Sequence, residues 1–69
     1  MDKKKVLKKL GDKIKKNRKS KGLTQSQLAA KVDKDQQSIQ RLEKGRINPS
    51  FYYLLEICKG LGIELEDLL

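Results

Sequence analysis

Residues 22–45 read GLTQSQLAAKVDKDQQSIQRLEKG, and the centre of the fold can be inferred from them. It contains two short helical patterns separated by a polar break at residues 33–35. Thr24 marks the start of the first pattern. Its hydroxyl can accept a hydrogen bond from a free backbone amide, and the side chain of Gln27 can accept one from the backbone amide of Thr24. This capping-box arrangement predicts a helix that starts directly after Thr24. Its narrow apolar stripe consists of Leu28, Ala29 and Val32.

The second pattern predicts another helix, over residues 36 to about 44. Asp35 is a good N-cap for this helix, and Gly45 is suited to ending it. Its apolar residues, Ile39 and Leu42, must face inward. Four polar side chains are therefore expected on other sides of the helix: Gln36, Gln37, Gln40 and Arg41.

A longer amphipathic pattern precedes these two helices. Residues 3–20 predict a helix, since apolar residues recur at spacings of three and four while lysine fills the other faces. Gly22 is suited to the C-terminal cap. Residues 1–9 are a candidate lysine-rich N-terminal extension of this helix. Its apolar positions are Val6, Leu7, Leu10 and Ile14.

The stretch after residue 45 predicts a loop and two further helices. Ser50 can cap a helix over residues 51–60, in which Phe51 is expected to lie in the core. A short fifth helix is predicted by Leu65, Leu68 and Leu69. No strand pattern or internal linker interrupts the chain, so residues 1–69 are predicted to form one all-α domain with five helices.

The basic residues are concentrated near the N-terminus. The chain carries 17 Lys and Arg residues against 9 Asp and Glu residues, which gives a net charge of +8. Residues 1–22 hold eleven basic and two acidic residues, whereas residues 51–69 hold one basic and four acidic residues. This charge favours a polyanionic partner, either nucleic acid or an anionic membrane. The alternative is that the charge serves only solubility.

Several residue types that catalysis and metal binding require are absent or rare. The chain has no histidine, which removes the commonest general base and the commonest metal ligand. Cys58 is the only cysteine, so there is no disulfide framework. The apolar runs are too short to span a membrane. We therefore expect no enzyme activity, no cofactor, no metal and no small-molecule ligand, and a reducing, cytoplasmic location.

Four segments together resemble the helix-turn-helix domain of the Xre family, the lambdoid phage repressor and Cro type. They are GLTQSQLAAKV at residues 22–32, QQSIQRLEKG at 36–45, INPS at 47–50 and LGIELEDLL at 61–69. The resemblance implies a lambda-repressor-like bundle in which helices two and three form the helix-turn-helix motif. It also implies a sequence-specific transcriptional regulator that binds double-stranded DNA, expected to be a repressor and a homodimer at least on DNA.

Gln36 and Gln37 are the leading candidates for base contact. The amide of glutamine offers one acceptor and two donors, which match N7 and N6 of adenine in the major groove. The first turn of the third helix is the end that such motifs present to base edges. The alternative is that both are ordinary solvated residues. One turn later, Arg41 can bind a guanine or a phosphate, and Gln40 follows the groove wall or contacts nothing.

Five further residues are candidates for contact with the DNA backbone. The family places a phosphate at Gln25, where the N-terminus of the second helix carries partial positive charge. Ser38 resembles a family position that contacts the groove, although a packing role suits a small residue equally. The loop after the third helix contributes Lys44, Arg46 and Asn48. The lysines of residues 3–21 either flank the DNA backbone or form a solvated face.

The resemblance also implies an ion pair between Arg18 and Glu43, which would hold the third helix against the first. The chain departs from the family pattern in the turn of the motif. Asp33 stands where the family often has glycine, and aspartate adopts the left-handed conformation less easily. Lys34 stands where an aliphatic residue is common, so its stem must replace that contact or the contact is lost.

The C-terminal segment allows more than one role. Its apolar residues form a dimer surface or complete the core of the monomer: Ile63, Leu65, Leu68 and Leu69. The same acidic segment would be the contact surface if the chain were instead a protein-interaction module. Such a module would be an antitoxin or a subunit that titrates another regulator.

Overall fold

The computed structural model describes all 69 residues and contains four α-helices. They span Lys3–Ser20 (α1), Gln25–Lys31 (α2), Gln36–Glu43 (α3) and Phe51–Leu61 (α4). The predicted all-α class is confirmed, but the predicted fifth helix is wrong, since Leu65–Leu68 forms a single 3-10 turn. Residues three apart lie on the same side of such a turn. Both of its leucines therefore reach the core without a further α-helix.

Side chains fix the start of each α-helix. Thr24 Oγ1 accepts from the amide of Gln27 at 3.1 Å, and Gln27 Oε1 accepts from the amide of Thr24 at 2.9 Å, which confirms the predicted capping box of α2. Asp35 Oδ1 accepts from the amide of Ser38 at 2.7 Å at the start of α3. Ser50 caps α4 in the same way. These bonds satisfy amides that have no partner within the helix, so they determine where each helix begins.

One hydrophobic core lies between the four helices and the 3-10 turn. The most deeply buried large side chains are Ile14, Leu28, Ile39, Leu42 and Ile57. The expectation that Phe51 belongs to the core is wrong, since its side chain is 65% exposed. The buried side of α4 is defined by Ile57, Cys58 and Leu61, and Phe51 opens the helix at the edge of that side. No helix is both long enough and apolar enough to cross a membrane.

Two glycines bring α1 and the end of α3 into backbone contact. A β-carbon at Gly11 would lie 2.6 Å from the carbonyl oxygen of Leu42 and 2.7 Å from the carbonyl carbon of Glu43. Gly45 has a left-handed φ of 72°, and a β-carbon there would lie 2.7 Å from Lys8 Cα. The C-terminal end of α3 is therefore held against the first half of α1, which determines which side of α3 faces outward.

Candidate nucleic-acid interface

The turn between α2 and α3 holds the two residues that depart from the family pattern. Asp33 takes a left-handed φ of 56°, and it is the only residue other than glycine with a positive φ. Lys34 Nζ lies 5.2 Å from the ring centroid of Tyr53 and 3.4 Å from a carboxylate oxygen of Glu56. The stem and charge of Lys34 thus connect the turn to α4, in place of the usual aliphatic contact.

α3 presents a polar outward side. Ile39 and Leu42 are buried, whereas the four predicted base-reading residues are exposed: Gln36, Gln37, Gln40 and Arg41. Side-chain hydrogen bonds at α3 involve the cap residue Asp35 and the buried Glu43, and none involves these four residues. Their donors and acceptors are therefore available to a partner.

A concavity of about 210 Å³ opens beside this side of α3. Its lining consists of Gln37, Gln40, Arg41, Lys44 and Arg46. The lining contains three cations and no carboxylate, so the concavity attracts anions. It brings together three predicted base-reading residues and two predicted backbone-binding residues. Gln36 lies outside it at the start of α3, and Asn48 is exposed further along the loop.

A buried network ties α3 to α1 and α2. Arg18 Nε donates to Glu43 Oε2 at 2.6 Å, and Arg18 Nη2 donates to Glu43 Oε1 at 3.0 Å, although both residues are almost completely buried. Arg18 Nη1 donates to the carbonyl oxygen of Leu23 at 2.7 Å. Gln25 Nε2 donates to Glu43 Oε1 at 3.1 Å, so this predicted phosphate ligand is already engaged with α3. The amide nitrogen of Gln25 keeps a second hydrogen for a phosphate.

Ser38 is half-buried on the side of α3 that faces α4. The hydroxyl of Tyr53 lies beside it, buried and without a hydrogen-bond partner of good geometry. Burial raises the pKa of Tyr53 above its ordinary value, and the nearness of Ser38 and Lys34 offsets only part of this effect. The structure thus places Ser38 in contact with the α4 side chains, apart from the concavity.

The start of α3 carries a negative charge at neutral pH. The backbone amide of Ser38, followed by its side chain, holds the pKa of Asp35 below its ordinary value of 3.8. Asp35 therefore stays ionised next to Gln36 and Gln37. A phosphate would be repelled at this end of α3, whereas uncharged base edges would not.

Two contacts of this region have no counterpart among the sequence-based predictions. The glycine in α1 shares one side of the helix with Leu7 and Ile14, and a small residue at such a position is a signal for close approach of another helix. That signal at Gly11 was available in the sequence. The contact between Lys34 and the ring of Tyr53 had none, because it depends on where α4 packs.

Comparisons with known proteins agree with this geometry. The family model described as Helix-turn-helix matches residues 14–68. A protein of Methanothermobacter thermautotrophicus, described as an uncharacterized HTH-type transcriptional regulator, is 45% identical over 56 residues, which are 80% of this chain and 81% of that protein. The control protein C.MunI of a Mycoplasma species is 42% identical over 59 residues, which are 84% of this chain and 80% of that protein.

A solved structure shares the whole arrangement of helices. The restriction-modification controller protein C.AhdI from Aeromonas hydrophila superposes with a TM-score of 0.89 at 32% identity, covering 91% of this chain and 96% of that chain. The residues matched by the family model include α2, the turn and α3, together with the Arg18–Glu43 pair that holds them. The chain therefore belongs to the Xre-like helix-turn-helix family of DNA-binding transcriptional regulators.

Proposed function

We propose that the chain reads a specific sequence in double-stranded DNA and acts as a repressor. In this proposal α3 enters the major groove with its N-terminal turn toward the base edges. Gln36 and Gln37 each pair with an adenine through N7 and N6. The observation that carries the proposal is that both amides are exposed and make no side-chain hydrogen bond within the chain, and that Gln37 lines a cationic concavity.

Gln40 and Arg41 extend the proposed reading surface by one turn. Both line the concavity, where the guanidinium of Arg41 can donate two parallel hydrogen bonds to O6 and N7 of a guanine. The alternative for Arg41 is a phosphate. Arg41→Ala distinguishes the two, because loss of a guanine contact changes the preferred base at one position, whereas loss of a phosphate contact weakens binding to all sequences alike.

The charges around α3 support this orientation on the duplex. Lys44 and Arg46 follow α3 and would bind phosphates beside the groove, with Asn48 further along the same loop. Gln25 would contribute its remaining amide hydrogen from the start of α2. Ser38 is the weakest of the proposed backbone contacts, since it packs toward α4.

A homodimer, at least on DNA, is the second part of the proposal. The large apolar side chains that are exposed in α1, α4 and the C-terminal segment are Val6, Phe51, Tyr52, Leu55 and Leu69. Val6 and Leu69 border an apolar concavity of about 330 Å³ between α1 and the C-terminal segment. Leu68 is buried, and Ile63 and Leu65 pack against the core, so these three residues complete the monomer. Leu69 and the concavity beside it are left for a second copy. Half-sites one helical turn apart require the two α3 helices of such a dimer to lie about 34–36 Å apart.

Sequencing of DNA that the purified chain selects from a random pool tests the reading function. We expect a two-fold-symmetric motif with adenines at the positions read by Gln36 and Gln37. Gln36→Ala and Gln37→Ala should each relax the preference at one position, by about 1–3 kcal/mol. Lys16→Ala is the control, since Lys16 is exposed on α1 away from α3. Failure to enrich any motif, or an unchanged motif in both glutamine variants, would contradict the proposal.

A protein-interaction module, such as an antitoxin or a subunit that titrates another regulator, is the second candidate function. The exposed aromatic residues at the start of α4, Phe51 and Tyr52, favour it. A salt titration separates the two functions. Binding to DNA weakens steeply as salt rises, because phosphate contacts release counterions, whereas an apolar protein contact does not weaken in this way.

A further inference from the structure

The first half of α1 carries cations beside the loop that follows α3. Lys8 touches this loop through its backbone, since a β-carbon at Gly45 would lie 2.7 Å from both Cα and the backbone nitrogen of Lys8. Lys44 and Arg46 are the chain neighbours of Gly45, and both are exposed. Lys8 therefore lies against the segment that lines the cationic concavity.

Lys4 extends this cationic surface away from α3. It lies one turn before Lys8, and residues four apart share one side of a helix. Gly11, three residues after Lys8, contacts the carbonyl groups at the end of α3, so this side of α1 adjoins the side that faces α3. Lys4 and Lys8 are both exposed. Together with Lys44 and Arg46 they form a basic strip that continues beyond the end of α3.

One carboxylate lies near each of these two lysines. The carboxylate of Asp2 caps α1 by accepting from the amide of Lys4 at 2.9 Å. Asp12 pairs with the ammonium group of Lys8 at 2.8 Å, but the two side chains are 57% and 59% exposed. An exposed pair of this kind is weak and is screened by salt. Lys8 can therefore exchange Asp12 for a phosphate, and the ammonium group of Lys4 has no partner to give up.

We propose that Lys4 and Lys8 bind phosphates of the duplex that flanks the site read by α3. This inference rests on the proposed DNA-reading function and extends its footprint. The ligand is the phosphodiester backbone of double-stranded DNA, so the contact adds affinity and length of covered duplex without sequence information. The four-residue separation spaces the two lysines by about 6 Å along α1, which is close to the rise of two base pairs along the duplex axis, at about 3.4 Å each.

Duplexes of two lengths test this inference. One ends at the last base pair of the selected site, and the other extends the site by half a helical turn on each side. Wild type is compared with Lys4→Gln/Lys8→Gln and with the control Lys16→Gln/Lys31→Gln. The control removes the same charge from exposed positions near the C-terminal end of α1 and at the end of α2. Fluorescence anisotropy gives Kd for each pair between about 50 and 200 mM salt.

We expect wild type and the control to bind the extended duplex more tightly than the trimmed one, and Lys4→Gln/Lys8→Gln to bind both alike. The homodimer loses two phosphate contacts per subunit, four in all, which lowers the salt slope on the extended duplex by about 3.6 and amounts to about 150-fold over this range of salt. The inference is overturned if Lys4→Gln/Lys8→Gln keeps the preference for the extended duplex, or if the control loses it as well. A wild-type chain that does not discriminate the trimmed site from random duplex would instead refute the reading function itself.

Discussion

Replacement of Gly11 by alanine tests the backbone contact that sets the position of α3. A β-carbon at this position would lie 2.6 Å from the carbonyl oxygen of Leu42, whereas ordinary contact begins at 3.4 Å. The two helices would have to separate by at least the difference, roughly 0.8 Å, because the carbonyl oxygen of Glu43 would lie closer still. The opposing atoms belong to the backbone, so no rotation of a side chain can relieve the clash.

Two opposing effects determine how much stability Gly11→Ala loses. Overpacking typically costs about 1–3 kcal/mol, and contact with backbone atoms places Gly11→Ala at the upper end. Alanine recovers about 1 kcal/mol, because glycine is a poorer helix former. The net loss in free energy of unfolding is therefore about 2 kcal/mol. In a domain of this size that loss lowers Tm by about 8–16 °C.

Urea unfolding followed by circular dichroism measures this loss. Gly60→Ala is the matched control, since Gly60 also lies inside a helix, but a β-carbon there would meet side-chain atoms of Val32 and Leu28 and no backbone atom. Val32 is buried and β-branched, so the control also loses stability, but rotation of these side chains relieves part of the clash. We expect the control to lose less stability than Gly11→Ala. A Gly11→Ala variant that is as stable as wild type, or more stable than the control, would show that α1 and α3 do not touch through their backbones.

Three further perturbations test other contacts. Arg18→Met leaves the carboxylate of Glu43 buried without its cation, so the free energy of unfolding, measured in urea, should fall by about 3–5 kcal/mol. Arg18→Met/Glu43→Leu should recover most of this loss, and a double variant as unstable as the single one would contradict the expectation. Folding lowers the pKa of Asp35, so the stability that its carboxylate contributes is present above 3.8 and is lost as the pH falls below that value. Asparagine caps a helix but does not titrate, so the stability of Asp35→Asn relative to wild type should rise as the pH falls through this range. Urea unfolding at several pH values measures the difference, and a difference that does not change with pH would contradict the role of the Asp35 carboxylate as a cap. Tyr53→Phe removes a buried hydroxyl that lacks a hydrogen-bond partner. The free energy of unfolding of this variant should therefore stay within about 0.5 kcal/mol of wild type or rise. A loss above about 1 kcal/mol would show that the hydroxyl forms a hydrogen bond with Ser38.

The starts of the helices could be predicted because their causes are local. Thr24 with Gln27, Asp35 and Ser50 each satisfy amides within three residues along the chain, so the sequence around them contains the whole interaction. The outward side of α3 was equally predictable, since Ile39 and Leu42 leave only one way to orient the helix. The candidate base-reading residues follow from that orientation.

The predictions failed for features that depend on how the helices pack together. Helical spacing places Phe51 near the apolar side of α4, but the burial of a residue at the edge of that side depends on whether another element covers it. The spacing of Leu65 and Leu68 suits an α-helix and a 3-10 turn alike, so it did not reveal which one forms. The engagement of Gln25 with Glu43 depends on how α2 and α3 pack together.

Asp33 gives the link between α2 and α3 an unfavourable backbone conformation. Its φ of 56° is a conformation that glycine adopts freely and that costs most other residues about 1–2 kcal/mol, although aspartate tolerates it better than most. Replacing Asp33 by glycine, which takes a single codon change, should therefore make the domain more resistant to heat. A sturdier form of the protein should be sought first at this link, where no core side chain has to be repacked.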